Sequence, residues 1–175
     1  MMKAHNLTAK LEELFGIDIR ALALMRIAFS FVILVQIADL FPHLKAFYSD
    51  QGILPRSYAI GTLKPAVLCL NLINGSWEFQ LFLFLLMMGL ALGLMVGYRT
   101  RLCTIGLWVL LSSFYHRNEF ILGAEDKLLH ILFFWFIFLP WGACYSIDSL
   151  TDPQKNRPLR VSSMATVAYL LQISF

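Results

Sequence analysis

The sequence predicts an all-α protein, a multi-pass transmembrane helical bundle with four full spans and a truncated fifth. Three observations carry that expectation. Of 175 residues, 59% are hydrophobic and only 14% charged, where an average soluble domain carries about 25% charged residues. Mean hydropathy is +0.70, more apolar surface than an interior of this size can hide. Apolar runs of spanning length recur along the chain, separated by polar stretches. Such a composition excludes a disordered chain, a nucleic-acid-binding domain and a disulfide-stapled secreted scaffold. The net charge of +3 points to no acidic partner. Cys69, Cys103 and Cys144 form no CxxC pair and no metal-ligand spacing. They read as apolar fillers, and no metal site is expected.

Two units follow from the order of the elements. Residues 1–16 are an amphipathic segment: Leu7, Leu11, Leu14 and Phe15 recur at helical spacing, with Lys10, Glu12 and Glu13 between them. Such a helix suits the membrane surface. No A-x-A site follows the next apolar run, so a cleavable signal peptide is not read here. Residues 17–175 are the membrane domain. Its first span is Ala21 to Phe41, 21 residues ended by Pro42, enough for a hydrocarbon core of about 30 Å. A mixed connection over 42–78 contains a moderately apolar piece, Tyr58 to Ile73, broken by Lys64-Pro65 and read as interfacial or re-entrant. The second span is Phe79 to Tyr98. The third starts at Leu102 and is clean to Tyr115, where His116-Arg117-Asn118-Glu119 interrupts it. The fourth is Leu128 to Ile147, with a kink expected at Pro140. A polar linker, Asp148 to Arg160, leads to a fifth apolar segment, Val161 to Phe175, 15 residues long at the chain end.

Lys and Arg in the connections set the orientation. With the N-terminus inside, the inner side holds eight (Lys3, Lys10, Arg20, Arg99, Arg101, Lys155, Arg157, Arg160) and the outer side five (Lys45, Arg56, Lys64, Arg117, Lys127). The bias favours a cytoplasmic N-terminus, and a bacterial cell membrane is the expected location.

Ionisable groups inside spans each cost about 2.5–3.5 kcal/mol on insertion scales and need a reason. Arg26 and Asp39 lie on the first span, 13 residues and therefore roughly 20 Å apart, so they cannot pair. By depth, the nearest partner for Arg26 is Asp148, and a structural ion pair between two helices is expected. Near the outer boundary, Asp39, Arg117, Glu119, Glu125, Asp126, Lys127 and His130 crowd together with His116 and Asn118. Asp126 and His130 share a helix face. The cluster reads either as a charged loop with a helix cap or as a polar pocket opening outward. Gly89, Gly93 and Gly97 form a doubled small-xxx-small pattern for close helix packing within the bundle or, less simply, in a homo-oligomer. Trp77, Trp108, Trp135 and Trp141 suit an interfacial belt. No Walker loop, GxGxxG, HExxH or GxSxG is present, and no cofactor motif is legible.

The stretch LALMRIAFSFVILVQIADLF followed by LKAFYSDQGILPRS resembles the opening of the HTTM domain, the membrane portion of vitamin K-dependent gamma-carboxylases and their bacterial relatives. GLMVGYRTRLC resembles that family's basic turn after the second span, and YHRNEFILGAEDKLLHILFFWFIFLPWGACYSID its third-to-fourth connection. The resemblance covers about residues 17 to 175. It implies a multi-helix membrane core and, in the carboxylases, oxygen-dependent oxidation of reduced vitamin K, or of another quinol, coupled to glutamate gamma-carboxylation. It places His116 and Asn118 in the polar loop near the active site as candidate catalytic residues. The family's lysine base, late in the fifth span, has no counterpart in Val161 to Phe175.

Three readings follow. The first is a truncated HTTM-family membrane protein without catalysis of its own. The second is a carboxylase-like enzyme completed by a partner chain. The third is a membrane subunit that binds lipid or a small molecule. Membrane lipid and partner helices are the expected associates, nucleic acid is not.

Overall fold

The computed structural model describes residues 17–55, 69–118, 123–151 and 160–161. The amphipathic segment 1–16, the break at Lys64-Pro65, Glu119 and the fifth apolar segment beyond Val161 lie outside them. The described chain is helical apart from one two-residue ladder, in which β1 (Ile17–Asp18) pairs antiparallel with β2 (Arg160–Val161).

Helix α1 spans Ile19–Leu40. Asp18 caps it by accepting the Arg20 N–H at 2.8 Å. Pro42 then tightens the chain into a 3-10 turn, Phe41–His43, and a short helix α2, Leu44–Tyr48, follows. Another 3-10 turn, Leu70–Leu72, precedes α3, Trp77–Val96. The Ser76 side chain caps α3 at its start. Gly97 ends it in the left-handed region, φ 83°, with its N–H on the carbonyls of Gly93 and Leu94. This is the terminator that glycine accepts without strain. Helix α4 is Thr100–Arg117, α5 is Ala124–Phe136, and α6 is the short Ile147–Thr151.

Helix α1 packs on α3, α3 on α4, and α4 on α5. Hydrogen bonds define two ends. At one, Asp50 meets Gly75, and Asn118 reaches Phe47. At the other, Asp148 N–H donates to Gly97 O at 3.0 Å. The chain therefore passes between these ends four times, with residues 124–148 as the fourth pass. That fourth pass is not one helix of 20 residues. Helix α5 stops at Phe136, and turns carry the chain on to Ile147. Pro140 is the cause: its ring would strike the carbonyl four residues back, that of Phe136, and it has no N–H to give. Proline here ends the helix instead of kinking it.

Among the described residues, two helices are long and apolar enough to cross a membrane: Ile19–Tyr48, which joins α1 to α2, and Trp77–Val96. Helix α4 has the length, but Thr100, Thr104, Ser112, Ser113, His116 and Arg117 dilute it. The distribution of side chains is inverted relative to a water-soluble fold. Phe31, Val35, Phe82, Leu92, Leu102 and Phe134 are exposed, whereas Arg26, Ser30, Asn71, Gln80, Thr104 and Arg117 are buried. An apolar exterior of this extent is a membrane-facing or partner-facing surface, and the two apolar helices point to the membrane.

The core is aromatic. Phe114 lies edge-on to both Tyr48 and Phe84, with centroids 5.0 and 5.7 Å away. Phe136 meets Phe29 at 4.8 Å and Trp141 at 4.5 Å. Trp141 is buried and donates Nε1–H to Thr104 Oγ1 at 3.2 Å. Trp108 is half-buried in mid-α4. Neither belongs to an interfacial belt. Trp141 finds a polar partner in Thr104, and Trp108 a stacking partner in His130, its Nε1–H having no hydrogen-bond partner among the described residues.

Candidate functional site

Asn71 and Gln80 are fully buried, so every polar atom they carry needs a partner. Asn71 Nδ2 donates to Gln80 Oε1 at 2.7 Å. Gln80 Nε2 returns to the carbonyls of Asn71 at 3.0 Å and Asn74 at 2.8 Å. Ser113 on α4 completes the set, accepting Asn71 N–H at 3.0 Å and donating to Asn71 Oδ1. Cys69 donates its thiol to Ser113 O at 3.2 Å. Burial pushes that thiol up, and the contact with Ser113 offsets part of the effect. This network ties the connection before α3 to α4. It is structural, and it leaves little for a substrate.

The residues expected to be catalytic take similar duties. Asn118 is buried and donates Nδ2–H to Phe47 O at 3.3 Å. His116 is half-buried, with Nδ1 at 2.7 Å from Ser112 O of its own helix; a carbonyl partner assigns the proton to that nitrogen. Arg117 is fully buried, 3.6 Å from Asp50 Oδ1, and donates Nη2–H to Tyr48 O at 3.4 Å. All three fasten the end of α4, Arg117 and Asn118 to the α2 region and His116 to its own last turn. None of them lines the cavity described next.

A cavity of about 340 Å³ opens between α1, α2, α3, α4 and the start of α5. That is the lower end of the range for small-molecule sites. Its deep part is apolar: Ile33, Met87 and Leu111, all buried. Phe47, Tyr48, Phe114 and Tyr115 form aromatic walls. At the mouth stand Gln36, Asp39, His43, Glu125 and Asp126. Gln36 Nε2 donates to Asp126 Oδ1 at 2.9 Å, joining α1 to α5. The other oxygen of Asp126 accepts Gly123 N–H at 3.0 Å and so closes the first turn of α5. The Tyr115 hydroxyl is buried and has no hydrogen-bond partner among the described residues.

The outer polar group expected from the sequence thus divides. Asp39 and Asp126 face the cavity, and Arg117 goes to Asp50. His130, one turn beyond Asp126, stacks on Trp108 at 5.7 Å and 6° and meets the edge of Tyr115. Gln36, His43 and Tyr115 escaped the sequence reading. Gln36 carried a signal: it is a polar residue in an apolar run, three positions before Asp39 and hence on its face. Nothing marked His43 or Tyr115.

At the opposite end Arg26 is fully buried. Arg26 and Asp148 both lie against Gly97 at this end, and no ion pair joins them. Arg26 Nη2 donates to Tyr145 O at 2.6 Å. Asp148 spends its oxygens on the start of α4, accepting from Arg99 N at 2.7 Å, Thr100 N at 2.8 Å and Thr100 Oγ1 at 3.0 Å. Arg99 has φ 43° and cannot cap from its own side chain, so the cap comes from a distant segment. The three glycines do not form one packing stripe either. Gly89 has open space around it, Gly93 faces Cys103 Sγ of α4, and Gly97 is the turn against Arg26 and Ser146.

No group of three or more His, Cys, Asp or Glu side chains suited to a metal ion occurs among the described residues. Compared with protein-family models, with curated proteins and with solved structures, the chain matches none.

Proposed function

We propose that the chain is a multi-pass integral membrane protein of the HTTM class whose bundle binds a small amphipathic molecule, without chemistry of its own. One observation carries this: the cavity has an apolar floor, aromatic walls and a polar mouth, the shape of a site for a molecule with an apolar body and a hydrogen-bonding head. A binding role is favoured over catalysis because His116 and Asn118 are engaged with backbone carbonyls and stand off the cavity. The four passes cross the bilayer, with the N-terminus cytoplasmic as the Lys/Arg bias directs. The cavity mouth then opens at the outer boundary.

The test is titration of the protein in lipid nanodiscs with water-soluble short-chain amphiphiles: a reduced quinone, an alkylammonium and an alkanol. Saturable binding by at least one, lost in Met87→Trp, which fills the floor, is the expected result. Binding by none, or undiminished binding in Met87→Trp, overturns the reading. A parallel assay with reduced quinone, oxygen, bicarbonate and a glutamate peptide should give no quinone epoxide. Epoxide formation above a His116→Ala control would favour the carboxylase-like reading.

A further inference from the structure

The mouth of the cavity is acidic. Asp39, Glu125 and Asp126 come to it from two helices that the chain separates widely, α1 and α5. Among the described residues no Lys or Arg lines the cavity. Lys127 follows Asp126 in the chain and Lys45 lies between His43 and Phe47, both exposed and neither lining the cavity, while Arg117 is 3.6 Å from the Asp50 carboxylate. Asp39 and Glu125 are exposed at the rim, while Asp126 is half-buried and held by Gln36 and Gly123. Negative charge at the rim of a low-dielectric cleft is focused into it. An anionic head is repelled at this mouth, and a neutral head leaves three carboxylates without benefit.

Inside the rim the walls are aromatic, with two phenylalanines and two tyrosines converging on one small space: Phe47, Tyr48, Phe114 and Tyr115. The faces of such rings attract cations electrostatically, and rings grouped around an alkylammonium are a recurrent recognition device. The Tyr115 hydroxyl, buried and without a partner among the described residues, lies on this wall.

Resting on the reading of the cavity as a binding site, we infer that its ligand is a small cationic amphiphile. An alkyl or aryl body occupies the floor at Ile33 and Met87, and an ammonium head lies between the aromatic walls and the Asp39 and Glu125 carboxylates. Asp126 is a positioning residue: bound to Gln36 and to the first turn of α5, it holds Glu125 at the mouth.

The probe is butyltrimethylammonium, compared with a neutral alcohol of the same shape, each titrated calorimetrically into the protein in zwitterionic nanodiscs. The cation should bind about tenfold more tightly than the neutral analogue. The double variant Asp39→Asn, Glu125→Gln should lose most of that preference, its affinity for the cation falling toward its affinity for the neutral analogue. Its melting temperature, unchanged, shows that it folds. Raised salt should reduce the preference in the parent and not in the variant. Equal binding of both probes, or a cation preference that survives the double variant, overturns the cationic assignment and leaves the binding site standing. Binding of neither probe by the parent overturns both.

Discussion

Leaving a polar side chain unpaired among apolar helices costs stability, and Gln36, half-buried on α1, is paired. Its bond to Asp126 joins two helices through a charged acceptor, a class of contact worth about 1.5–3 kcal/mol. Gln36→Leu should lower the melting temperature in detergent, and Gln36→Leu with Asp126→Asn should cost less than the sum of the two. Strict additivity would show that the contact is not made. Asn71→Ala should cost about 1–3 kcal/mol, because it leaves Gln80 Oε1 without its donor inside the protein. A loss indistinguishable from zero would mean that water reaches this network. Cys69 permits a pH test. With its thiol pushed up by burial, less thiolate is present at neutral pH than in a free cysteine. Maleimide labelling of Cys69 in the folded protein should be slow at pH 7 and accelerate only above the ordinary thiol range. Labelling at the rate of a small free thiol would contradict this.

At the level of elements, the glycines and Pro140 separate effects that look alike in one dimension. A Cβ at Gly97 would collide with Arg26 Nη1, in a backbone region with φ 83°. Gly97→Ala should therefore destabilise by more than about 1 kcal/mol. A Cβ at Gly89 meets nothing within 4 Å. Gly89→Ala should be neutral or stabilising by up to about 1 kcal/mol, through helix propensity alone. Equal effects at the two positions would restore the single packing stripe. Asp148→Ala removes the cap that α4 borrows from across the bundle, and a loss of about 1 kcal/mol is expected. The same change should leave Arg26 seated, because Tyr145 O is its direct partner.

For the whole molecule, the testable property is how it sits in a bilayer. Residue 50 belongs to the end that carries Arg117 and the cavity mouth, whereas 155 follows the Asp148 end in sequence. Cysteines placed at these two positions in a background without native cysteines should label from opposite sides in intact vesicles, with position 50 reached from outside. Labelling of both from one side would refute four crossings. Salt should have little effect on the stability of the bundle, because its buried contacts are shielded from mobile ions.

Composition and apolar run length were enough to indicate a helical chain with apolar helices of membrane-crossing length, because those depend on residue type summed over a turn or more. That Arg26 and Asp148 share one end of the bundle follows from depth along two helices at 1.5 Å per residue. What only the tertiary structure decided were the partners. Hydrophobicity does not say which rotation about its axis a helix takes when apolar residues surround it, so α1 and α3 gave no sequence clue to the face that meets a neighbour. That rotation sends Asp126 to Gln36 and the cavity but His130 to Trp108, and makes Asp148 a cap for α4 instead of a counter-ion in contact with Arg26. The cavity itself belongs to no segment. It exists where five helices fail to fill a common space, and volume between elements is a property of their packing.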